Sequence, residues 1–248
     1  MNTKTLVRSL VHSKYIDLFG VILILGTCIV RDFHGTYYQN GEMTFGIPIS
    51  DLWPQIKNGA IPLGLWSIIG AIFSVLSARL IGKQNNVGNM IGVATSASSG
   101  TIDYLFGNHS AIITYPISLF LNSFSVFRWN NGVTVRKRDR HYYLIAFIGM
   151  ILGFALVYLG AYLFGGKTDH AFLIVVSLTF GISLGANFAN AFKYEETWLS
   201  WAIYNVIQLI KNIMLVNIAN VAKYIFYLLN SVVTLADWKL NGDVDKSL

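Results

Sequence analysis

Apolar residues run in long blocks along this chain, and inside several blocks the polar residues recur every three or four positions. Eight blocks, at about 16–30, 62–82, 86–106, 110–127, 142–164, 170–192, 197–216 and 219–237, hold few charges. About 20 apolar residues rising 1.5 Å each cross the roughly 30 Å interior of a bilayer, so each block predicts a helical span, the first a short one. Most connections are brief, such as Lys83-Gln84-Asn85 and Gly165-Gly166-Lys167. The exception is 128–141, RWNNGVTVRKRDRH, which separates three of the last seven blocks from the other four. Residues 1–14, with Lys4, Arg8 and Lys14 interleaved among Leu6, Val7, Leu10 and Val11, predict a short interfacial helix. Residues 31–61 read as a loop at the interface.

Charge orients these blocks. The five basic residues of the long loop (Arg128, Arg136, Lys137, Arg138 and Arg140) place it in the cytoplasm by the positive-inside rule. Counting outward from it puts Lys4, Arg8, Lys14, Arg79, Lys83, Lys193, Lys239 and Lys246 on the same side. Only Arg31, Lys57, Lys167, Lys211 and Lys223 fall outside or at the outer edge. The expectation is eight spans with both termini cytoplasmic.

Polar stripes suggest a repeat. In 193–212, KYEETWLSWAIYNVIQLIKN, residues Trp198, Trp201, Asn205, Gln208 and Asn212 recur at spacing 3, 4, 3, 4 and share one helix face, opposite Leu199, Ile203, Val206 and Ile210. The same spacing joins Tyr115, Ser118, Asn122, Ser125 and Trp129, and again Tyr224, Tyr227, Ser231, Thr234 and Trp238. These last two helices run in the same direction in the predicted topology. They become equivalent if three spans, a linker span and three spans follow one another. The predicted fold is an all-α integral membrane protein: a seven-helix 3+1+3 core of two parallel three-helix repeats, plus an extra N-terminal span. Residues 1–61 form the N-terminal part and 62–240 the core (62–129 first repeat, 142–164 linker, 170–237 second repeat). A tail at 241–248 completes the chain.

Composition agrees with a membrane setting. The 248 residues are 54% hydrophobic and 12% charged, against about 25% charged in soluble domains. The net charge of +6 is sorted by loop, so it carries no nucleic-acid signal. One cysteine, Cys28, permits no intrachain disulfide.

Within spans, a Trp near an end is ordinarily an interfacial anchor, which is the expectation for Trp53, Trp129 and Trp238. Ser118, Ser125 and Thr234 are expected to serve helix packing. Asp103, Lys211 and Lys223 lie near the outer edge, where snorkelling is the default. Amides clustered on one face are different, because a lipid-facing Asn or Gln leaves polar groups unpaired; Asn205 and Gln208 are therefore read as lining a pathway. Ser183, Asn187 and Asn190 make another polar face, suited to packing or pathway.

Catalysis finds little support. The five histidines sit in loops or at span ends and none pairs with carboxylates at metal-ligand spacing. Neither a Gly-rich phosphate loop nor a G-x-S-x-G elbow occurs, and no cofactor is implied. No Asp, Glu or His is placed deep in a span, which disfavours a proton relay. Aromatic faces attract cations and amides bind hydroxyls or a carboxamide. The expected ligand is a flat, cationic heterocycle on a neutral polyol. The lack of a deep basic residue argues against phosphates or carboxylates.

Glu196-Thr-Trp198-x-x-Trp201 followed by Asn205-x-x-Gln208 resembles the W-x-x-W and N-x-x-Q motifs of the PnuC family of bacterial nicotinamide riboside transporters. Asn122 to Trp129 is similar to that family's N-x-Y-G-W-Y-x-W segment, with Phe124 for Tyr and Ser125 for Gly. The Tyr224-to-Trp238 distance also matches. The resemblance covers about 62–240, leaving the first block extra. It implies a plan like that of SWEET sugar transporters, a homotrimer in the bacterial inner membrane, and facilitated diffusion of nicotinamide riboside trapped by a cytosolic kinase. It places ligand among Trp198, Trp201, Asn205, Gln208 and Asn122, to which the polar faces add Asn187 and Asn212. Transport of thiamine, riboflavin or a deoxynucleoside, a proton-coupled carrier, and a non-transporting scaffold remain the alternatives.

Overall fold

The computed structural model describes residues 2–242, so most of the predicted 241–248 tail, with Lys246, lies outside the described residues. Ten α-helices dominate: α1 Thr3–His12, α2 Lys14–Val30, α3 Ile49–Lys57, α4 Leu63–Gly82, α5 Val87–Leu105, α6 Ala111–Asn130, α7 Arg140–Phe164, α8 His170–Ala191, α9 Thr197–Met214 and α10 Ile218–Asn241. Asn2, Asp139, Asp169 and Asn217 cap α1, α7, α8 and α10, each accepting a backbone N–H of the first turn. Gly165 and Gly242, at φ 70° and 64°, end α7 and α10.

Four helices, α4, α7, α8 and α10, are long and apolar enough to cross a membrane, and α1 with α2, bent by 50°, forms a fifth candidate. α5, α6 and α9 are 18 to 20 residues long but more polar. Their polar faces turn inward. Large apolar side chains such as Phe120, Phe127, Ile203, Ile210 and Leu229 lie exposed on the outer surface, as a lipid-facing surface requires.

Six helices close a ring: α4 packs on α5, α5 on α6, α6 on α8, α8 on α9, α9 on α10, and α10 back on α4. α7 stays outside this ring, seated on α8. Glycines set that contact. A methyl group on Gly153 would lie 2.4 Å from the Gly181 Cα, and one on Gly185 would lie 3.1 Å from the Ala146 Cα. Backbones this close leave no room for a side chain. Gly153→Leu is expected to pry α7 from α8 and abolish monodisperse elution of the detergent-solubilised protein; a normal elution profile would count against this seam.

The N-terminal segment is built into the molecule. Arg79 of α4, 2% exposed, donates to Asp17 (Nε to Oδ1, 2.6 Å), to Asn230 of α10 (2.9 Å) and to the carbonyls of Leu10, Val11 and Ser13 at the α1–α2 bend. Lys83 completes the pairing of Asp17 at 2.5 Å. Residues 31–61, expected as loop, are more ordered than that. They hold a 3-10 turn (Phe33–Gly35), a hairpin (β1 Tyr37–Gln39, β2 Glu42–Thr44) and α3. Buried Phe33 and Leu52 anchor this cap, and the Thr36 carbonyl accepts the Gly64 N–H at 2.8 Å. Alternation over so few residues is too short to predict such strands. Trp53 is exposed on α3.

Candidate functional site

The six-helix ring encloses a cavity of about 200 Å³ lined from α4, α5, α6, α8, α9 and α10. α9 contributes two indoles, a phenol, two amides and an amine, and the 3, 4, 3, 4 stripe explains four of these. Trp198, Trp201, Asn205 and Gln208 all face the cavity, while Leu199, Ile203, Val206 and Ile210 face outward. Asn122 and Asn187 line it too, from α6 and α8. Asn212, the last stripe residue, is not on the wall. Its Nδ2 donates to the Gln208 carbonyl (2.8 Å) and to Gln208 Oε1 (3.0 Å), so it orients a wall residue from behind.

The amides are partly committed and partly open. Asn205 Nδ2 donates to Ser231 Oγ at 3.0 Å, which fixes the carboxamide, but its Oδ1 is buried without a partner. Gln208 Nε2 donates to the Tyr204 hydroxyl at 2.6 Å. Asn122 donates to Ser96 (2.6 Å) and Asn187 to Ser183 (3.1 Å). Ser74, Ser77, Ser96 and Ser99 add hydroxyls from α4 and α5. A buried acceptor left unpaired costs about 1–3 kcal/mol, so Asn205 Oδ1 marks a place where a donor from outside the chain would be stabilised. Such a wall can orient a neutral polyol or carboxamide. Among the described residues, no three His, Cys, Asp or Glu side chains gather to hold a metal.

Aromatic rings line one side. Trp201 meets Tyr204 edge-on (centroids 5.1 Å), Tyr204 meets Tyr224 (6.1 Å), and Tyr224 meets Tyr227 (5.6 Å). Tyr204 was not on the sequence stripe, though its position three after Trp201 and four before Gln208 could have revealed it. Ser118, expected to pack helices, lines the cavity. Asn190, Ser183 and Asn187 do as well.

Trp129 and Trp238 depart from expectation. Neither is an interfacial anchor: they are 8% and 1% exposed and form a cluster with Trp198 at one end of the cavity. Trp238 contacts Trp129 at 6.2 Å and Trp198 at 5.7 Å. Their indoles donate to the carbonyls of Asn190 (2.8 Å) and Gly82 (2.9 Å), both at the ends of neighbouring helices. Carbonyls at a helix end lack the regular i+4 partner and can accept an indole N–H, which the Asn190 carbonyl does alongside the Lys193 N–H at 2.9 Å. Thr197 and Glu196 brace the start of α9. Thr197 Oγ1 donates to the Ala186 carbonyl (2.8 Å), and Glu196, 3% exposed, accepts the Arg138 N–H (3.2 Å) and faces Lys239 (3.6 Å). Beside it, burial first and then the Glu196 charge raise the Glu195 carboxyl above its ordinary range.

The opposite end corrects a second expectation. Asp103, Lys211 and Lys223 do not snorkel; they are 2%, 3% and 5% exposed and line the cavity. Lys211 Nζ lies 2.5 Å from Asp103 Oδ2, which also accepts from the Tyr115 hydroxyl (2.8 Å) and from Asn108 Nδ2 (3.3 Å). The packing of α5, α9 and α10 closes over these helix ends and supplies a counter-charge from 108 positions away. The cavity therefore holds buried basic groups and a buried carboxylate, contrary to the expectation that it lacks a basic residue for a carboxylate or phosphate.

Comparisons with known proteins bear on the family and the fold. A family model described as "Nicotinamide mononucleotide transporter" matches residues 64–240. A solved structure described as "Crystal structure of the Vitamin B3 transporter PnuC" superposes with a TM-score of 0.62 at 13% identity, covering 92% of each chain. No curated protein sequence matches the chain.

Proposed function

The chain belongs to the nicotinamide mononucleotide transporter family, PnuC, and on that premise we propose that it carries nicotinamide riboside across a membrane by facilitated diffusion. The observation that carries this reading is Asn205, a residue of the cavity wall whose carboxamide is locked by Ser231 while its buried oxygen has no partner. A ribose hydroxyl or the ligand's carboxamide N–H satisfies that oxygen, and the pyridinium lies against Trp201 and Tyr204. Trp198, Gln208, Asn122 and Asn187 complete the binding wall, and Asn212 positions Gln208.

The ring of six with α7 outside supports a 3+1+3 plan: α4–α6 as the first repeat, α7 as the linker, α8–α10 as the second, with α1–α3 appended. The matching stripes of α6 and α10 support equivalence of the two halves, since Tyr115, Ser118 and Asn122 reach the cavity alongside Tyr224, Tyr227 and Ser231. In this reading the Trp cluster is the cytoplasmic end and Asp103–Lys211–Lys223 the outer end. Both termini are cytoplasmic, the membrane is the bacterial inner membrane, and the protein works as a homotrimer. A cytosolic kinase holds the imported riboside as the mononucleotide.

Calorimetric titration of the detergent-solubilised protein with nicotinamide riboside, thiamine and riboflavin tests the substrate. Saturable binding of the riboside alone is expected, weakened about tenfold or more in Trp201→Ala, since a desolvated cation–π contact is worth up to about 2 kcal/mol. Uptake into proteoliposomes should be insensitive to uncoupler. Binding of a different vitamin would move the substrate, and no binding by well-behaved protein would leave a scaffold role.

A further inference from the structure

We propose that the Lys223 end of the cavity is an oxyanion-binding subsite, taking a carboxylate or phosphate. The inference rests on the transport reading only in treating the cavity as accessible to ligand. Charge makes the argument. Three charged residues line the cavity: Asp103, Lys211 and Lys223. Asp103 Oδ2 is engaged by Lys211 at 2.5 Å, Tyr115 at 2.8 Å and Asn108 at 3.3 Å. Lys223, on α10, makes no ion pair or hydrogen bond among the described residues. Its ammonium lies over the rings of Tyr224 (4.4 Å) and Tyr227 (5.9 Å).

With both lysines protonated, two ammonium groups against one carboxylate leave a formal excess of one positive charge in a space walled by protein. A desolvated charge without a counterion is costly, and the two tyrosine faces offset only part of that cost. An anion at Lys223 would complete the balance. Thr114 also lines the cavity, and its hydroxyl can donate to an oxygen acceptor, which favours an oxyanion. A transported pyridinium is meanwhile repelled from this end and directed toward Trp201. A ligand bearing both charges would span the cavity, cation on the aromatic side and anion at Lys223.

The oxyanion can arrive free or as a group on the transported ligand, and titration distinguishes these. Purified protein, Lys223→Met and Lys223→Arg would be titrated with inorganic phosphate, acetate, nicotinamide riboside and its 5′-phosphate, after size-exclusion checks of folding. Saturable binding of phosphate or acetate alone identifies a free-anion subsite. Binding of the 5′-phosphate at least tenfold tighter than the riboside, without free-anion binding, identifies a ligand-borne anion and removes trapping by the kinase. In either case Lys223→Met should remove the anion-dependent part by at least tenfold and Lys223→Arg should retain it. Absence of anion binding in both forms, or anion binding unchanged in Lys223→Met, overturns the proposal. The riboside titration separates the two readings: riboside binding without any anion effect removes only the subsite, and Lys223-dependent anion binding without riboside binding removes only the substrate assignment.

Discussion

Asn205→Leu should weaken nicotinamide riboside binding by about tenfold to a hundredfold, corresponding to a buried polar group left unpaired at about 1–3 kcal/mol. The size of the effect follows from the local geometry. Asn205 is 2% exposed, its Nδ2 is held by Ser231 Oγ at 3.0 Å, and its Oδ1 is unpartnered. The free protein thus already bears the cost of an unsatisfied acceptor, and a ligand donor relieves it. Leucine is close in size, so the wall keeps its shape while the ligand's donor is stranded. The apo protein should be as stable as the parent or slightly more so, which separates loss of binding from loss of folding. Gln208→Leu should behave similarly, and Asn212→Leu should lose less, because it acts through Gln208. Isothermal titration is the measurement; affinity within twofold of the parent for Asn205→Leu would remove this residue from the site.

The second large effect is on stability. Arg79→Met should destabilise the protein by about 3–5 kcal/mol, the usual cost of breaking a buried charge pair by removing one partner. Arg79 joins three elements at once: Asp17 at the start of α2, Asn230 on α10, and the carbonyls of Leu10, Val11 and Ser13. Methionine fills much of the volume but leaves these acceptors bare, with only Lys83 still facing Asp17. Lysine at this position restores charge without the planar fork that reaches several acceptors, so Arg79→Lys should recover only part of the loss. Denaturant titration in detergent, with limited proteolysis at the α1–α2 bend, reads the effect. Because Asn230 also lines the cavity, ligand affinity should fall along with stability. An unchanged unfolding midpoint in Arg79→Met would show that the N-terminal segment is merely apposed.

The α9 stripe was legible because helical periodicity fixes which residues share a face, and four of its five members line the cavity. Periodicity does not say what the face meets. Asn212 shares the stripe yet sits behind Gln208, and Trp129 and Trp238 share stripes yet are sealed in an indole cluster. The same limit explains Asp103, Lys211 and Lys223. Each lies within about a turn and a half of a helix end, where a charge ordinarily reaches water, and only the folded ring brings Lys211 onto Asp103 across 108 positions. Helix boundaries were read to within a few residues because Gly, Pro and charge interrupt the apolar blocks. The hairpin and α3 were not, since what holds them is tertiary: Tyr38 of β1 pairs with Ile61, and α3 packs on the 3-10 turn.

The place of α7 outside the ring has an evolutionary consequence. No side chain from 140–164 reaches the cavity, so selection on what is carried cannot act on this helix directly. Selection on it acts through solubility in the bilayer, its capped ends and the glycine contact with α8. Its outward positions, among them Phe147, Ile151, Leu152 and Leu163, are free to drift among apolar residues, whereas a lineage that acquires a new cargo must record the change on the six helices of the ring. In a set of relatives, divergence in α7 therefore keeps time, and divergence along the α6, α9 and α10 stripes tracks diet.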